Sequence, residues 1–188
     1  MDDRGTVLLA AMGLGAGARV LLDSSAIICY REGGGSSRAA MEAVVDAAAH
    51  GLIRLRASAL VWTEILRAPL DPETGLAYRR FLADSSLIVI DPVDVAVAEA
   101  AAGILAALDR GRPFPGAGAA RTKDQGKARE AGRGGGSAFF ADALHLASAI
   151  AGRCQAVLTK DEAWAGAAPP GLRVILLDEL AAVISMVE

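Results

Sequence analysis

The chain has 188 residues, 53% hydrophobic but only 4% aromatic, and a formal net charge of −3. That length suffices for one domain with a real core, and with so few aromatic rings the core must be built from Ala, Leu, Val and Ile. The charge excludes a polycation that binds nucleic acid over its whole surface. Two cysteines, Cys29 and Cys154, make neither a disulfide framework nor a zinc spacing. Both lie among apolar residues and read as reduced core residues, which fits a cytoplasmic protein.

Taken in order, the chain opens on Val7 to Ala18, apolar and rich in small residues. The preceding Asp2-Asp3-Arg4 is net negative where a secretion signal is basic, and the run is too short and too glycine-interrupted to span a bilayer. No membrane association is expected. Residues 1–17 are expected to form a loosely ordered N-terminal extension, and residues 18–188 a single domain.

The run Val20-Leu21-Leu22-Asp23-Ser24-Ser25-Ala26-Ile27-Ile28 predicts a buried strand, with Asp23 where its C-terminal end should be. Helices are expected from Ser36 to His50, stopped by Gly51, and from Ser58 through Arg67, ended by Pro69 and Pro72. Ile53 to Ala57 is the strand between them. A further helix spans Pro72 to Ala83, then a strand Leu87 to Ile90 and an Ala/Val-rich helix Val93 to Leu108. After residue 137 come a helix from Phe139 to Ala151, a strand Gln155 to Thr159, a helical turn Asp161 to Ala165, a strand Leu172 to Leu176 and a closing helix Asp178 to Met186. Short strands alternating with longer helices predict an α/β fold with a parallel sheet.

Residues 110–137 differ. Gly and Pro are frequent, large apolar residues nearly absent, and seven Arg or Lys stand against Asp124 and Glu130. The stretch is therefore net +5 and the remainder of the chain −8. Such a composition buries too little to offset its ordering entropy and reads as a basic, low-complexity insertion within the domain. It is either a solvated loop without a task or an arm for a nucleic-acid backbone.

Four acids stand beside residues that want burial. Asp23 ends the first strand, Glu64 lies in ALVWTEIL, Asp142 in FFADALHLA, and Asp161 follows the fourth strand in LTKDEA. One such acid is a helix cap; four in a small domain suggest convergence on a cation, because clustered carboxylates repel and need a counter-charge. Oxygen ligands point to Mg²⁺ or Mn²⁺. No Walker loop, serine elbow or dinucleotide fingerprint competes.

The segments LLDSSAII, SALVWTEILRA, FFADALHLASAI and AVLTKDEAW, in that order, resemble the PIN-domain ribonucleases, most closely the VapC-like toxins of bacterial toxin–antitoxin pairs. The resemblance covers residues 18–180. It implies a PIN-like central parallel β-sheet of about five strands flanked by helices, with an acidic pocket at the strand ends. The family's four acids fall on Asp23, Glu64, Asp142 and Asp161, implying a Mg²⁺- or Mn²⁺-dependent endoribonuclease that leaves 5′-phosphate and 3′-hydroxyl ends. Asp23, Asp142 and Asp161 would be direct or water-mediated ligands, and Glu64 a ligand or the group that orients water. The resemblance also implies RNA as substrate, a cognate antitoxin and a homodimer. The departures are the basic insertion and the N-terminal extension.

Ser24 and Thr159 are candidate supporting residues, able to hydrogen-bond a carboxylate. His145, three residues past Asp142, shares its helix face but reads as structural, since oxygen ligands suffice. Trp62 and Trp164 read as packing residues, and Arg31 and Arg67 as solvated. Two alternatives remain: a non-catalytic PIN-like module that binds RNA or protein, and a Mg²⁺-dependent phosphatase of the aspartyl-phosphate type. The second wants an Asp two residues after Asp23, where Ser25 stands.

If the insertion is an RNA-binding arm, replacing it with a short Gly-Ser loop should weaken RNA binding at low salt and matter little at high salt. Equal affinity at low salt, read by filter binding, would mark a passive loop.

Overall fold

A computed structural model describes residues 3–67, 69–109, 136–166 and 169–186. Five strands, β1 (Ala18–Leu22), β2 (Ile53–Ser58), β3 (Ile88–Asp91), β4 (Ala156–Thr159) and β5 (Arg173–Leu176), form one parallel sheet in the order β3-β2-β1-β4-β5. The helices are α1 (Asp3–Met12), α2 (Ser24–Glu32), α3 (Gly35–Ala49), α4 (Leu60–Leu66), α5 (Pro72–Ala83), α6 (Val95–Asp109), α7 (Gly136–Ala151) and α8 (Leu177–Ser185), with a 3₁₀ turn at Glu162–Gly166. The expected α/β architecture, with a five-stranded parallel sheet flanked by helices, is present.

β1 is central and pairs on both edges: Val20 lies opposite Leu55 of β2 and Ala156 of β4. Its side chains alternate between faces, as strand geometry requires. Val20 and Leu22 join one core with Ala156 and Leu158, covered by α1 to α5 and α8. Leu21 joins the other with Val157 and residues of α6 and α7. Val20, Leu21 and Leu22 are all fully buried, which is why this stretch reads as a continuous apolar run rather than an alternating one. From β1 the chain builds β2 and β3 to one side, then crosses back through α6 and α7 to place β4 on the other. The strand order therefore reverses between β1 and β4, and in open α/β sheets the crevice beyond the strand ends at such a point is where ligands sit.

Three local features differ from the sequence reading. β1 stops at Leu22, with Asp23 at its C-terminal end as expected, but the rest of the apolar run forms a helix that was not expected, α2 from Ser24. The Asp23 carboxylate accepts the Ser24 N–H at 2.7 Å, so capping chemistry outweighs the strand preference of Ile27 and Ile28. Residues 3–12, within the expected loosely ordered extension, are a helix with Leu8, Leu9 and Met12 buried in the larger core. Gly13, at φ +61, closes it, and the Arg173 guanidinium donates to the Met12 carbonyl at 3.3 Å. The charge of that end says nothing against an apolar helix face docking on the domain. Of the basic insertion, residues 110–135 lie outside the described residues, and its last two, Gly136 and Ser137, belong to α7.

Elsewhere the expected elements stand within two or three residues. The helix Pro72–Ala83 has the expected bounds, because Asp71 caps it by accepting the N–H groups of Glu73 and Thr74 at 3.0 Å each. Cys29 and Cys154 are free and buried; burial pushes both thiols up, Cys154 to about 11. No helix among the described residues is long and apolar enough to cross a membrane.

Met12 is 1% exposed. Met12→Ala is expected to destabilise the protein by about 2–5 kcal/mol in urea denaturation, whereas a change near zero would mean that α1 does not dock.

Candidate active site

The crevice is built from the ends of β1 and β4. Asp23 follows β1 directly, and its N–H donates to the Leu158 carbonyl of β4 at 3.1 Å. Its side chain is 6% exposed, so its oxygens need donors. Oδ1 accepts the Ser24 N–H; Oδ2 accepts the hydroxyls of Ser25 at 2.7 Å and Thr159 at 2.9 Å. Both hydroxyls are held in turn. Ser25 Oγ accepts the Lys160 N–H at 2.9 Å, and Thr159 Oγ1 accepts the Asp161 N–H at 3.0 Å. Asp23 is thus both a helix cap and a carboxylate clamped between two strand ends.

Glu64 comes from α4, which follows β2. Val61 and Ile65 face the core, leaving Glu64 on the helix flank toward the crevice. Its Oε2 meets His145 Nε2 at 2.8 Å, and the same nitrogen lies 3.8 Å from Asp23 Oδ1. Ligand atoms of Asp23, Glu64 and His145 all fall within 4.8 Å of one another. Asp142, one turn before His145 on α7, and Asp161 stand outside that tight group. The Asp161 carboxylate folds back to accept the Ala163 N–H at 2.8 Å and is exposed. Asp142 is half-buried and feels the charges of both Asp23 and Asp161. Asp142 thus lies near Asp23 and Asp161, and of the four predicted acids Asp23 and Glu64 are in the tight group.

A PIN domain family model matches residues 20–168. The chain belongs to the PIN domain family. VapBC2 from Rickettsia felis, solved bound to a DNA fragment from its promoter, matches with a TM-score of 0.56 at 12% identity, over 84% of this chain and 98% of that one; the likeness is one of fold. VapBC-5 from Mycobacterium tuberculosis, a member of the VapBC family of toxin–antitoxin systems, gives a TM-score of 0.46 at 19% identity, over 85% and 98%. Curated protein sequences give no match.

The electrostatics of this PIN domain ask for a cation. Burial, then the charges of Asp23 and Asp161, push the Asp142 carboxyl up to about 6. Burial alone would also raise Glu64, but the His145 hydrogen bond and charge, a Ser24 hydroxyl and the Arg67 charge together lower it. No lysine or arginine among the described residues forms an ion pair with Asp23, Glu64, Asp142 or Asp161. Lys160, adjacent to Asp161, turns to Asp178 at 3.4 Å instead. The carboxylates of Asp23 and Glu64, close together at His145 Nε2 and beside a carboxyl whose ionisation is opposed, are oxygen donors that fit a divalent ion.

Two residues of the pocket were underrated by sequence reasoning. Ser25 clamps Asp23 more closely than Ser24, whose hydroxyl is 3.5 Å from Oδ1. Two adjacent serines give no signal as to which faces the carboxylate until the helix phase is known. His145, read as structural, is fully buried yet lies against Glu64; its i, i+3 spacing from Asp142 was the available signal. Trp164 is buried as expected, and its indole N–H, near Asp142, closes no hydrogen bond.

Folding raises the Asp142 pKa from 3.8 to about 6. The folded state therefore binds more protons than the unfolded between those values, and stability falls as pH rises through them. In metal-free protein, Asp142→Asn is expected to stabilise by about 1 kcal/mol at pH 7, discounted for partial exposure. The gain should vanish at pH 4, as read by urea denaturation at the two pH values.

Proposed function

We propose that this PIN domain is a metal-dependent endoribonuclease, the toxin of a toxin–antitoxin pair. The observation that carries the reading is that Asp23, Glu64, Asp142 and Asp161, from four separate segments, lie near one another where strand order reverses, with no lysine or arginine among the described residues in an ion pair with them. A phosphatase of the aspartyl-phosphate type is disfavoured because Ser25 stands two residues after Asp23, where that chemistry wants a second Asp.

In this reading Asp23 and Asp142 hold Mg²⁺ or Mn²⁺ directly or through water, Asp161 extends the ligand set through water, and Glu64 ligates or orients the attacking water. When bound, such an ion supplies charge neutralisation at the attacked phosphate and makes water there more acidic. The chain's own residues preset the geometry. Ser25 and Thr159 stop the Asp23 carboxylate from rotating, and the Asp161 N–H fixes the Thr159 hydroxyl that does so. Glu64, the acid whose pKa is lowered, stays ionised and so can ligate the ion or orient water.

The RNA substrate, a homodimer, a cognate antitoxin and a cytoplasmic location follow from the motif resemblance to VapC-like toxins. An antitoxin arginine would pair bidentately with carboxylates exposed in this crevice.

RNA cleavage that needs Mg²⁺ or Mn²⁺ and falls by about a hundredfold or more, some 3 kcal/mol of barrier, in Asp23→Asn is the expected outcome in a gel assay. Saturating metal should also raise the melting temperature of the parent but not of Asp23→Asn. Metal binding without cleavage of any RNA would leave a binding module instead.

A further inference from the structure

The shortest contact among the pocket's titratable groups is made by a residue outside the four-acid set. His145 Nε2 lies 2.8 Å from Glu64 Oε2 and 3.8 Å from Asp23 Oδ1. The side chain is fully buried, and Nδ1 has no hydrogen-bond partner. All of the ring's polar contact is therefore with the pocket. An ionised carboxylate only accepts, so Nε2 carries the proton in this bond. The ring is placed from behind by α7 and by Trp164, whose ring centroid is 6.2 Å away at a tilt of 41°. A residue present only to fill space would be better served by Leu, since an unpaired buried nitrogen costs free energy. Glu64 needs such a partner. It is a long side chain on a seven-residue helix, partly exposed, and unless held it would sample several rotamers.

We propose that His145 is a positioning residue: its Nε2–H holds the Glu64 carboxylate in place beside Asp23, so that both acids are set before an ion arrives. It acts through Glu64 and touches no substrate. The consequence for metal binding rests on the nuclease reading; the pairing itself does not.

Full-length protein carries the test, as the parent, His145→Leu, which keeps bulk but removes the donor, His145→Gln, which restores an N–H, Glu64→Ala, and the Leu/Ala double variant. In metal-free protein, urea unfolding of the double-mutant cycle should show coupling of about tenfold in the unfolding constant. Mn²⁺ affinity, read by electron paramagnetic resonance without RNA, should fall about ten- to a hundredfold in His145→Leu, recover most of the loss in His145→Gln, and be insensitive to His145→Leu once Glu64 is Ala. With RNA, His145→Leu should lower kcat and leave KM nearly unchanged. Should the leucine variant not fold, His145→Asn, too short to reach Glu64, replaces it with the same expectations.

An additive cycle overturns the proposal. So does Mn²⁺ affinity equal in His145→Leu and the parent, or a nitrogen hyperfine coupling that makes His145 itself a ligand. A parent that binds no Mn²⁺ overturns the nuclease reading and the positioning role with it, whereas an additive cycle in a Mn²⁺-binding parent overturns the positioning role alone.

Discussion

The pocket depends on how the buried end of β1 is closed. β1 is hemmed between two parallel neighbours, and the residue after Leu22 must leave the sheet while staying buried. A carboxylate there costs several kcal/mol unless donors meet it. Three do: one backbone N–H from the first turn of α2 and two hydroxyls, one from that turn and one from the end of β4. The bonds that satisfy the charge also join β1, α2 and β4, so the site's geometry and the local fold share the same contacts. Charge-assisted hydrogen bonds of this kind are worth roughly twice their neutral counterparts, which makes the junction stiff where a ligand pocket has to be.

Neutral donors satisfy Asp23 locally but leave its charge in place. Asp142 feels it, and its carboxyl is pushed up accordingly. The chain has cations nearby and directs them elsewhere: Lys160 to Asp178 and Arg56 to Asp91. Among the described residues, the His145 imidazole is the cationic group that lies against Glu64 and Asp23. Burial works against its protonation, and the Glu64 hydrogen bond with the charges of Asp23, Glu64 and Asp142 overcomes that and raises its pKa. A protein gains nothing in stability from an acidic cluster left this way, and such uncompensated repulsion is what a functional site would be expected to carry.

The fold class was legible because most strands are short apolar runs bounded by turn residues and alternate with longer helical stretches. The four acids were legible as a set because apolar neighbours made each anomalous. Three things were not. The helix start at Ser24 hid inside an apolar run, since Ile27 and Ile28 suit a strand as well as a helix. The docking of α1 depends on a tertiary surface that no local pattern announces. The partition of roles among Ser24, Ser25 and His145 depends on helix phase, which a residue of error in the start of α2 would reverse.

The topology also explains how the chain carries a long insertion next to its candidate site. The 26 residues between Asp109 and Gly136 join α6 to α7. Val97, Ala101 and Ile104 of α6 and Ala143, Leu144 and Ala147 of α7 pack into one core with Leu21 of the central strand. The position of α7, and with it Asp142 and His145, is set by that packing rather than by the connection. Joining two helices through 26 residues instead of four adds only about 2 kcal/mol of closure entropy, because that cost grows with the logarithm of length. Burying even one or two aliphatic side chains offsets it. A connection that neither positions the helix nor costs much to close is free to vary in length and charge, while the carboxylate six residues into α7 stays where the sheet requires it.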